Sequence, residues 1–158
     1  MIEFRPASRE ALADCFEQEK LRRDPLASPV DLRRAREHAT RPPLLLAFVV
    51  SPRARSQVPA REQWLSAGAA LGNILSAAHQ LGYGAIVLSG ERCFDETLAR
   101  QLGVRPGEEL VGFISVGTIA EAPPQPRETL SQNVWSCWQG EAPWVASPGA
   151  LPPPPEAG

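Results

Sequence analysis

The chain has 158 residues, of which 43% are hydrophobic and 22% charged, and its formal net charge is -2. These values are typical of a globular domain with a buried core, and they exclude a wholly disordered chain. The lack of a basic excess argues against a nucleic-acid partner. Three scattered cysteines and two histidines without ligand spacing argue against a disulfide framework and a zinc site, and they suit a reducing cytosol.

The first elements in chain order are a strand and a helix. Residues 2–5 predict a short strand. Ser8 is placed to cap a helix that runs to about Lys20 and turns Leu12, Cys15 and Phe16 inward.

A second helix and a second strand follow. Ser28 and Pro29, with an acid in the first turn, predict a helix to about Ala39. Its arginines favour a solvated face over a phosphate site, because acidic side chains alternate with them. The apolar run at residues 44–50 is typical of a strand buried on both faces.

The middle of the chain predicts a long helix and a third strand. Residues 60–81 are apolar nearly all round, so we expect this helix to lie buried at the centre of the structure. Gly68 and Gly72 lie one turn apart in it, which lets another helix approach closely. No Asp, Glu, Lys or Arg occurs in residues 63–90. The polar residues and glycines in this stretch favour a helix and a strand, at residues 85–89, over a membrane span.

The last third predicts a short helix, a strand and a tail. The helix covers residues 93–102 and the strand residues 110–116. Helices and strands alternate, which indicates an α/β or α+β class. We expect a folded domain over residues 1–140 and a proline-rich disordered or polyproline tail over residues 141–158.

Glycines around the third strand allow two interpretations. Ser89 and Gly90 follow a buried strand, where backbone amides become free to bind a ligand, although an ordinary turn explains them as well. Gly82 and Gly84 follow a helix and precede a strand, which is the reverse of a dinucleotide-binding fingerprint. A helix cap and a turn account for these two glycines.

Two titratable side chains are candidates for chemistry. His79 lies on the long helix, and a hydrogen-bonded core or interface histidine is favoured over a catalytic one. Cys93 stands beside Arg92, whose charge lowers a thiol pKa in such a position. No base accompanies Cys93 in the sequence, so a structural cysteine is favoured.

Two stretches between residues 58 and 118 resemble the nitroreductase family of FMN-dependent NAD(P)H oxidoreductases. The words VPAREQWLSAGAALGNILSAAHQLGYGAIVLSG resemble its central dimer helix and the strand after it, and LGVRPGEELVGFISVGT resembles its last core strand. The resemblance implies an α+β sandwich in which a central buried helix packs on a mixed or antiparallel sheet. It also implies a homodimer with FMN at the subunit interface.

The implied activity is ping-pong hydride transfer. NAD(P)H reduces the flavin and leaves, and a small electron-poor acceptor of nitroaromatic or quinone type takes its place. Val87, Leu88 and Ser89 match the family's flavin-contacting strand end. Ala77 and Gly82 match positions that touch the nicotinamide cofactor. The resemblance implies no catalytic side chain. Charge, ligand spacing and cysteine usage argue against nucleic acid and a metal site and favour a cytoplasmic protein, and we expect no membrane association.

The sequence departs from the family at two places. Close relatives carry Trp-Arg where this chain has Val87 and Leu88, so one cationic flavin contact is missing. Family members open with a helix whose Arg-Arg-Ser motif grips the FMN phosphate, whereas residues 1–4 match a later strand. We therefore expect an N-terminally incomplete member of the family. Arg127 is the candidate for a phosphate contact after the last strand.

Two other functions stay open. The chain could be a non-catalytic remnant of the same fold that dimerises, or binds another chain, through Gly68 and Gly72 and an arm that carries Trp135 and Trp138. It could also be a small α/β binding module unrelated to flavins. Retained FMN with NAD(P)H oxidation would contradict the first of these.

Overall fold

Four helices and four strands make up the computed structural model, which describes residues 1–54 and 57–121. The elements are β1 (Ile2–Glu3), α1 (Arg9–Arg23), α2 (Pro29–Thr40), β2 (Leu44–Val50), α3 (Ala60–Gln80), β3 (Tyr83–Leu88), α4 (Glu96–Gln101) and β4 (Glu109–Thr118). Short 3-10 turns at Pro6–Ser8 and Glu91–Phe94 precede α1 and α4. The predicted tail, its boundary at residue 140, and Arg127, Trp135 and Trp138 lie outside the described residues.

The strands form one antiparallel sheet in the order β1-β2-β4-β3. Leu46 pairs with Ile114 across β2 and β4, and Ala85 pairs with Val116 across β3 and β4. A register shift between Phe48 and Val49 leaves one extra residue in β4. Because of this bulge, Leu110 and Phe113 lie on the same face of the sheet. The α+β class and the antiparallel sheet agree with the prediction.

The sheet separates two apolar clusters. On one face, α1, α2 and α4 cover β2 and β4, and Phe16, Leu45 and Phe113 are buried there. On the other face, α3 packs against Phe48 and Ile114. Side chains of β2 alternate between the two clusters, as the period of a strand requires. This explains why the predicted apolar run has no polar face.

The predicted helix starts have different outcomes. In α2, the Ser28 hydroxyl accepts from the Asp31 amide at 3.2 Å, and the Asp31 carboxylate accepts from the Ser28 amide at 3.3 Å, so the predicted cap is confirmed as a capping box. The predicted cap at Ser8 is wrong, since its hydroxyl donates to the Arg5 carbonyl at 3.0 Å. The 3-10 turn before α1 already begins the helical hydrogen bonding at this point.

The helix predicted for residues 93–102 is divided in two. A 3-10 turn ends at Phe94, and α4 begins anew at Glu96. Asp95 causes this break, because its carboxylate accepts from the Leu98 amide at 2.6 Å and caps α4. Arg22 of α1 holds the same carboxylate from the other side.

α3 is covered on one face only. Trp64, Leu71 and Ile74 pack against the sheet, but no residue of α3 is fully buried in the single chain. A Cβ atom added to Gly68 or Gly72 would meet no atom within 4 Å. The predicted burial therefore holds for the face toward the sheet, because one sheet can cover only one side of a helix that is apolar nearly all round.

The arginines of α2 do not share one environment. Arg33 and Arg34 are exposed, as a solvated face predicts. Arg36 instead reaches α1, where its guanidinium pairs with Glu10, Asp14 and Glu17. The solvated face is therefore wrong for Arg36, since α1 and α2 pack side by side and bring these carboxylates within its reach.

Candidate functional site

A cavity of about 430 Å³ opens beside the end of β3, on the face of the sheet that α1 and α2 cover. It is lined by an apolar floor of Phe16, Leu45 and Phe113, by a wall of residues 87–92, and by the side chains of Arg23 and His38. Four segments far apart in the chain thus meet at one place. Concave, largely apolar sites with a few polar groups are typical of ligand binding.

The wall of the cavity offers unused backbone donors. Within the described part of the chain, the amide N–H groups of Ser89 and Gly90 donate to no acceptor. β3 ends at Leu88, so the sheet no longer pairs the backbone beyond it. The two amides are free, as predicted, and a ligand-binding role for them stays a prediction.

Gly112, a buried glycine of β4, allows the end of β3 that forms this wall to lie close to β4. A Cβ atom at Gly112 would lie 3.1 Å from Val87 Cγ1 and 3.3 Å from the Leu88 carbonyl oxygen. Both distances are shorter than ordinary van der Waals contact, so a side chain at position 112 would require Val87 or the Leu88 carbonyl to shift by a few tenths of an ångström.

Only some of the predicted site residues line the cavity. Val87, Leu88 and Ser89 line the cavity. Ala77 and Gly82 do not line it, since Ala77 is exposed in the last turn of α3 and Gly82 follows that helix. Gly82 has a φ of 83° and its amide donates to the His79 carbonyl at 2.9 Å, which confirms the helix-cap interpretation of this glycine.

A buried carboxylate lies beneath the cavity. Glu19 is 1% exposed, and its Oε1 accepts from Arg23 Nε at 2.8 Å. Its Oε2 has no hydrogen-bond partner in the described residues and lies 3.8 Å from Arg92 Nε. Arg23 also donates to Glu91 at 2.6 Å, so its charge is shared between two carboxylates.

Arg92 is the most enclosed cation of the cavity. Its side chain is 13% exposed, and its guanidinium carbon lies 4.2 Å above the centre of the Phe16 ring. Burial lowers the pKa of Arg92, with the Glu19 charge acting in the opposite direction. A guanidinium stays protonated in proteins, so Arg92 brings a positive charge to an aromatic surface.

Two other titratable groups border this charge. Desolvation lowers the pKa of His38, and the positive charge of Arg92 lowers it further, so the imidazole is neutral at pH 7. Burial raises the pKa of the Cys93 thiol and outweighs the opposing effect of Arg92. The structural role predicted for Cys93 therefore fits better than a reactive thiolate. His79 is exposed on α3 in the single chain and does not line the cavity.

Sequence reasoning missed Phe16, Arg23 and His38 as site residues, and it considered Arg92 only as a neighbour of Cys93. The first three precede the wall by about fifty residues or more. No local spacing links them to it, because α1 and α2 reach the cavity only through the tertiary fold. The single available signal was the position of Arg92 just after the predicted ligand-binding turn.

Two kinds of site do not occur in the described ranges. No cluster of three His, Cys, Asp or Glu side chains is arranged to hold a metal ion there. In those same ranges no helix has the length and apolar character needed to cross a membrane.

Comparisons with known proteins point to one family. The model of the nitroreductase family matches residues 3–118. The chain is 33% identical over 101 residues to the putative NAD(P)H nitroreductase YdjA of Escherichia coli strain K12, a match that covers 64% of this chain and 52% of YdjA. The YdjA sequence of Escherichia coli O157:H7 matches equally well. The chain thus spans about half the length of the curated relatives it matches.

Solved structures share the fold. A nitroreductase-like family protein from Bacillus cereus superposes with a TM-score of 0.67 at 18% identity, covering 87% of this chain and 72% of that one. A variant of the FMN and NADPH-dependent nitroreductase NfnB from Sphigopyxis sp. strain HMH gives 0.60 at 17% identity, covering 88% and 78%. The NADPH:FMN oxidoreductase from Vibrio harveyi gives 0.54 at 14% identity, covering 83% and 57%.

Proposed function

The chain belongs to the nitroreductase family, and from this premise we propose that it is an FMN-dependent NAD(P)H oxidoreductase of nitroreductase type. The observation that carries the proposal is the free backbone at Ser89 and Gly90, which forms a wall of the cavity beside β3. The family match includes this segment. NfnB is an FMN and NADPH-dependent nitroreductase and the Vibrio harveyi protein is an NADPH:FMN oxidoreductase, which supports the same cofactors for this chain.

The residues of the cavity fit a flavin ring. Val87, Leu88 and Ser89 would hold it along one edge through backbone donors and side-chain contact, and Phe16 and Phe113 offer an aromatic floor. When bound, FMN supplies the redox centre that takes a hydride from NAD(P)H and gives it to an acceptor in a ping-pong sequence. We propose small nitroaromatic or quinone-like molecules as acceptors.

The chain's own residues orient the ligands and exclude water. The apolar floor keeps solvent from the reacting face, and the free amides fix the ring edge. No side-chain nucleophile is needed, and the raised pKa of Cys93 keeps its thiol protonated beside the wall. Ala77 and Gly82 are proposed as nicotinamide contacts from the resemblance alone.

A second copy of this chain is the proposed partner. The face of α3 that carries Gly68 and Gly72 is exposed in the single chain and rich in small residues. Close helix packing against an identical face would bury it, which fits a homodimer. We also propose a cytoplasmic location, in line with the scattered free cysteines.

The test is a titration of the purified full chain with FMN. We expect the bound yellow cofactor to be bleached by NADPH or NADH and to recover its colour with a nitroaromatic acceptor. Ser89→Pro removes the amide donor and should weaken FMN binding by about tenfold or more, whereas Ser89→Ala keeps the amide and should bind FMN like the unchanged chain. Circular dichroism checks that both variants fold.

A folded, dimeric chain that binds no FMN would overturn this proposal. That outcome would favour the alternative function, a partner-binding remnant of the same fold. The exposed face of α3 is the observation that favours this alternative.

A further inference from the structure

The turn that follows β3 is held by side chains of α1. β3 ends at Leu88, so strand pairing does not extend to residues 89–95. Three side chains of this segment contact α1 instead. They are Glu91, which accepts from Arg23 at 2.6 Å, Arg92, which lies 4.2 Å from the centre of the Phe16 ring, and Asp95, which accepts from Arg22 at 2.9 Å. Contacts with α1 therefore take the place of strand pairing in this part of the chain.

Glu19 lies at the centre of these contacts, although it does not line the cavity. It is 1% exposed, and its Oε1 accepts from Arg23 Nε at 2.8 Å. Its Oε2 lies 3.8 Å from Arg92 Nε. Because Arg23 also holds Glu91, the buried carboxylate is linked to two consecutive residues of the turn.

The two arginines of this network depend on the charge between them. Burial lowers the pKa of Arg92, whereas the charge of Glu19 raises it and the charge of Arg23 lowers it. Glu91 is 74% exposed, so solvent weakens its compensation of these cations. Without the charge of Glu19, the two guanidinium groups would repel each other at the base of the turn.

The burial of Glu19 has an energetic cost that stability alone does not explain. Its Oε2 accepts no hydrogen bond within residues 1–54 and 57–121, and well-packed apolar side chains often replace buried ion pairs without loss of stability. The network does, however, reach the wall of the cavity. The Cys93 amide donates to the Gly90 carbonyl at 3.0 Å, which ties the fastened part of the turn to the free amides of Ser89 and Gly90.

We propose that Glu19 is a positioning residue that fixes the Ser89 and Gly90 amides for a ligand. It acts through Arg23 and Arg92, which hold the turn against α1. This inference rests on the proposed function and deepens it, because it names the buried group that keeps the flavin-binding wall in place. Donors that are already fixed bind a ligand more tightly, since less conformational entropy is lost on binding.

The test is Glu19→Gln, which keeps the size of the side chain and removes its charge. Amide hydrogen exchange of the full chain, resolved by residue with NMR and measured without FMN, reports opening of the turn through the Cys93 amide. We expect this amide to exchange about tenfold or more faster in the variant. The amides of β4, which is paired on both sides, report global unfolding and should change far less.

An FMN titration of the same variant tests the consequence for binding. Glu19→Gln leaves Ser89, Gly90 and the lining of the cavity chemically unchanged. We nevertheless expect the dissociation constant for FMN to rise by about tenfold, because the ligand must then order the wall as it binds.

Glu17→Gln is the matched control. Glu17 lies on the same helix, and its carboxylate accepts from Arg36 of α2 at 2.8 Å. This substitution removes the same charge from α1 without altering the turn, so we expect unchanged Cys93 exchange and unchanged FMN affinity. Glu91→Gln is a second test variant at an exposed position, which keeps the experiment decisive if Glu19→Gln does not fold. It should accelerate Cys93 exchange by a smaller factor.

Three outcomes would overturn the inference. Equal acceleration of Cys93 and of the β4 amides would show that Glu19 only stabilises the fold. Unchanged Cys93 exchange would show that the network does not hold the turn. Faster opening with unchanged FMN affinity would show that a fixed wall does not matter for the ligand. If the unchanged chain binds no FMN, the proposed function fails, while the exchange rates still decide whether Glu19 positions the wall.

Discussion

Arg9 is a buried cation that ties three separate segments together. It is 7% exposed, and its guanidinium donates to the Phe4 carbonyl at 2.6 Å, the Ala39 carbonyl at 2.7 Å and the Pro43 carbonyl at 3.4 Å. These acceptors lie after β1, at the end of α2 and before β2. Burial lowers the pKa of Arg9, but the guanidinium stays charged and its hydrogen bonds are charge-assisted.

Replacing Arg9 should therefore be costly. We expect Arg9→Met to lower the free energy of unfolding by about 3 kcal/mol, since buried carbonyls lose a charged donor. Arg105 serves as the control, because it is 79% exposed and pairs with nearby Glu108. Arg105→Met should lower the free energy of unfolding far less, because exposed ion pairs contribute little to stability. Urea denaturation measures both, and equal losses would contradict the role assigned to Arg9.

The candidate site was predictable at the level of single residues only where its members are neighbours in sequence. Val87, Leu88 and Ser89 adjoin a turn whose free amides are a local consequence of the strand's end. Phe16 and Arg92 come together because α1 packs beside the 3-10 turn at Glu91–Phe94, which no spacing in the sequence encodes. Their stacking is a tertiary contact, and it was not predicted.

The N-termini of α1 and α2 are stabilised in different ways. α2 has a reciprocal capping box between Ser28 and Asp31. α1 grows out of a 3-10 turn, and the hydroxyl of Ser8 bonds to a carbonyl outside the helix. We therefore expect Ser28 to contribute more than Ser8 to the free energy of unfolding.

This difference predicts unequal losses of stability for two alanine substitutions. Ser28→Ala should lower the free energy of unfolding by about 1 kcal/mol, because the first turn of α2 loses its acceptor. Ser8→Ala should cost a few tenths of a kcal/mol, since no amide of α1 depends on that hydroxyl. Thermal unfolding of both variants tests the assignment, and a larger loss at Ser8 would refute it.

The order and type of the elements were predicted well, and their ends less well. Apolar periodicity indicated all four main strands and the long helix, because those patterns follow from which faces are buried. The break at Asp95 was missed, since it depends on Arg22 of a distant helix as well as on the local cap. Strand order also escaped prediction, because β2 pairs with a strand about sixty residues later.

At the scale of the whole molecule, an apolar surface is left exposed along the outer face of α3. Leu65 on this helix is 67% exposed. Gly68 and Gly72 follow it at helical spacing, and a Cβ atom at either glycine would meet no atom within 4 Å. Exposed apolar patches of this kind are typical of surfaces that bind another protein.

Gly72→Ala separates the stability of the chain from its association. A Cβ atom at this position meets nothing within 4 Å, so alanine should stabilise the isolated helix by up to about 1 kcal/mol. If the α3 faces of two copies pack closely, the same methyl group should weaken dimerisation. We expect sedimentation to show weaker association while denaturation at low concentration shows a more stable monomer. Unchanged association would exclude this stripe as the contact.

Gly112 makes the geometry of the cavity depend on a residue that does not line it. Even a methyl group there would require Val87 or the Leu88 carbonyl, at the end of β3 that forms the wall, to shift by a few tenths of an ångström. A mutational scan scored by activity would therefore identify position 112 as part of the site, whereas a scan scored by ligand contacts would overlook it. For protein engineering, this position is a way to reshape the cavity without altering any side chain that faces its contents.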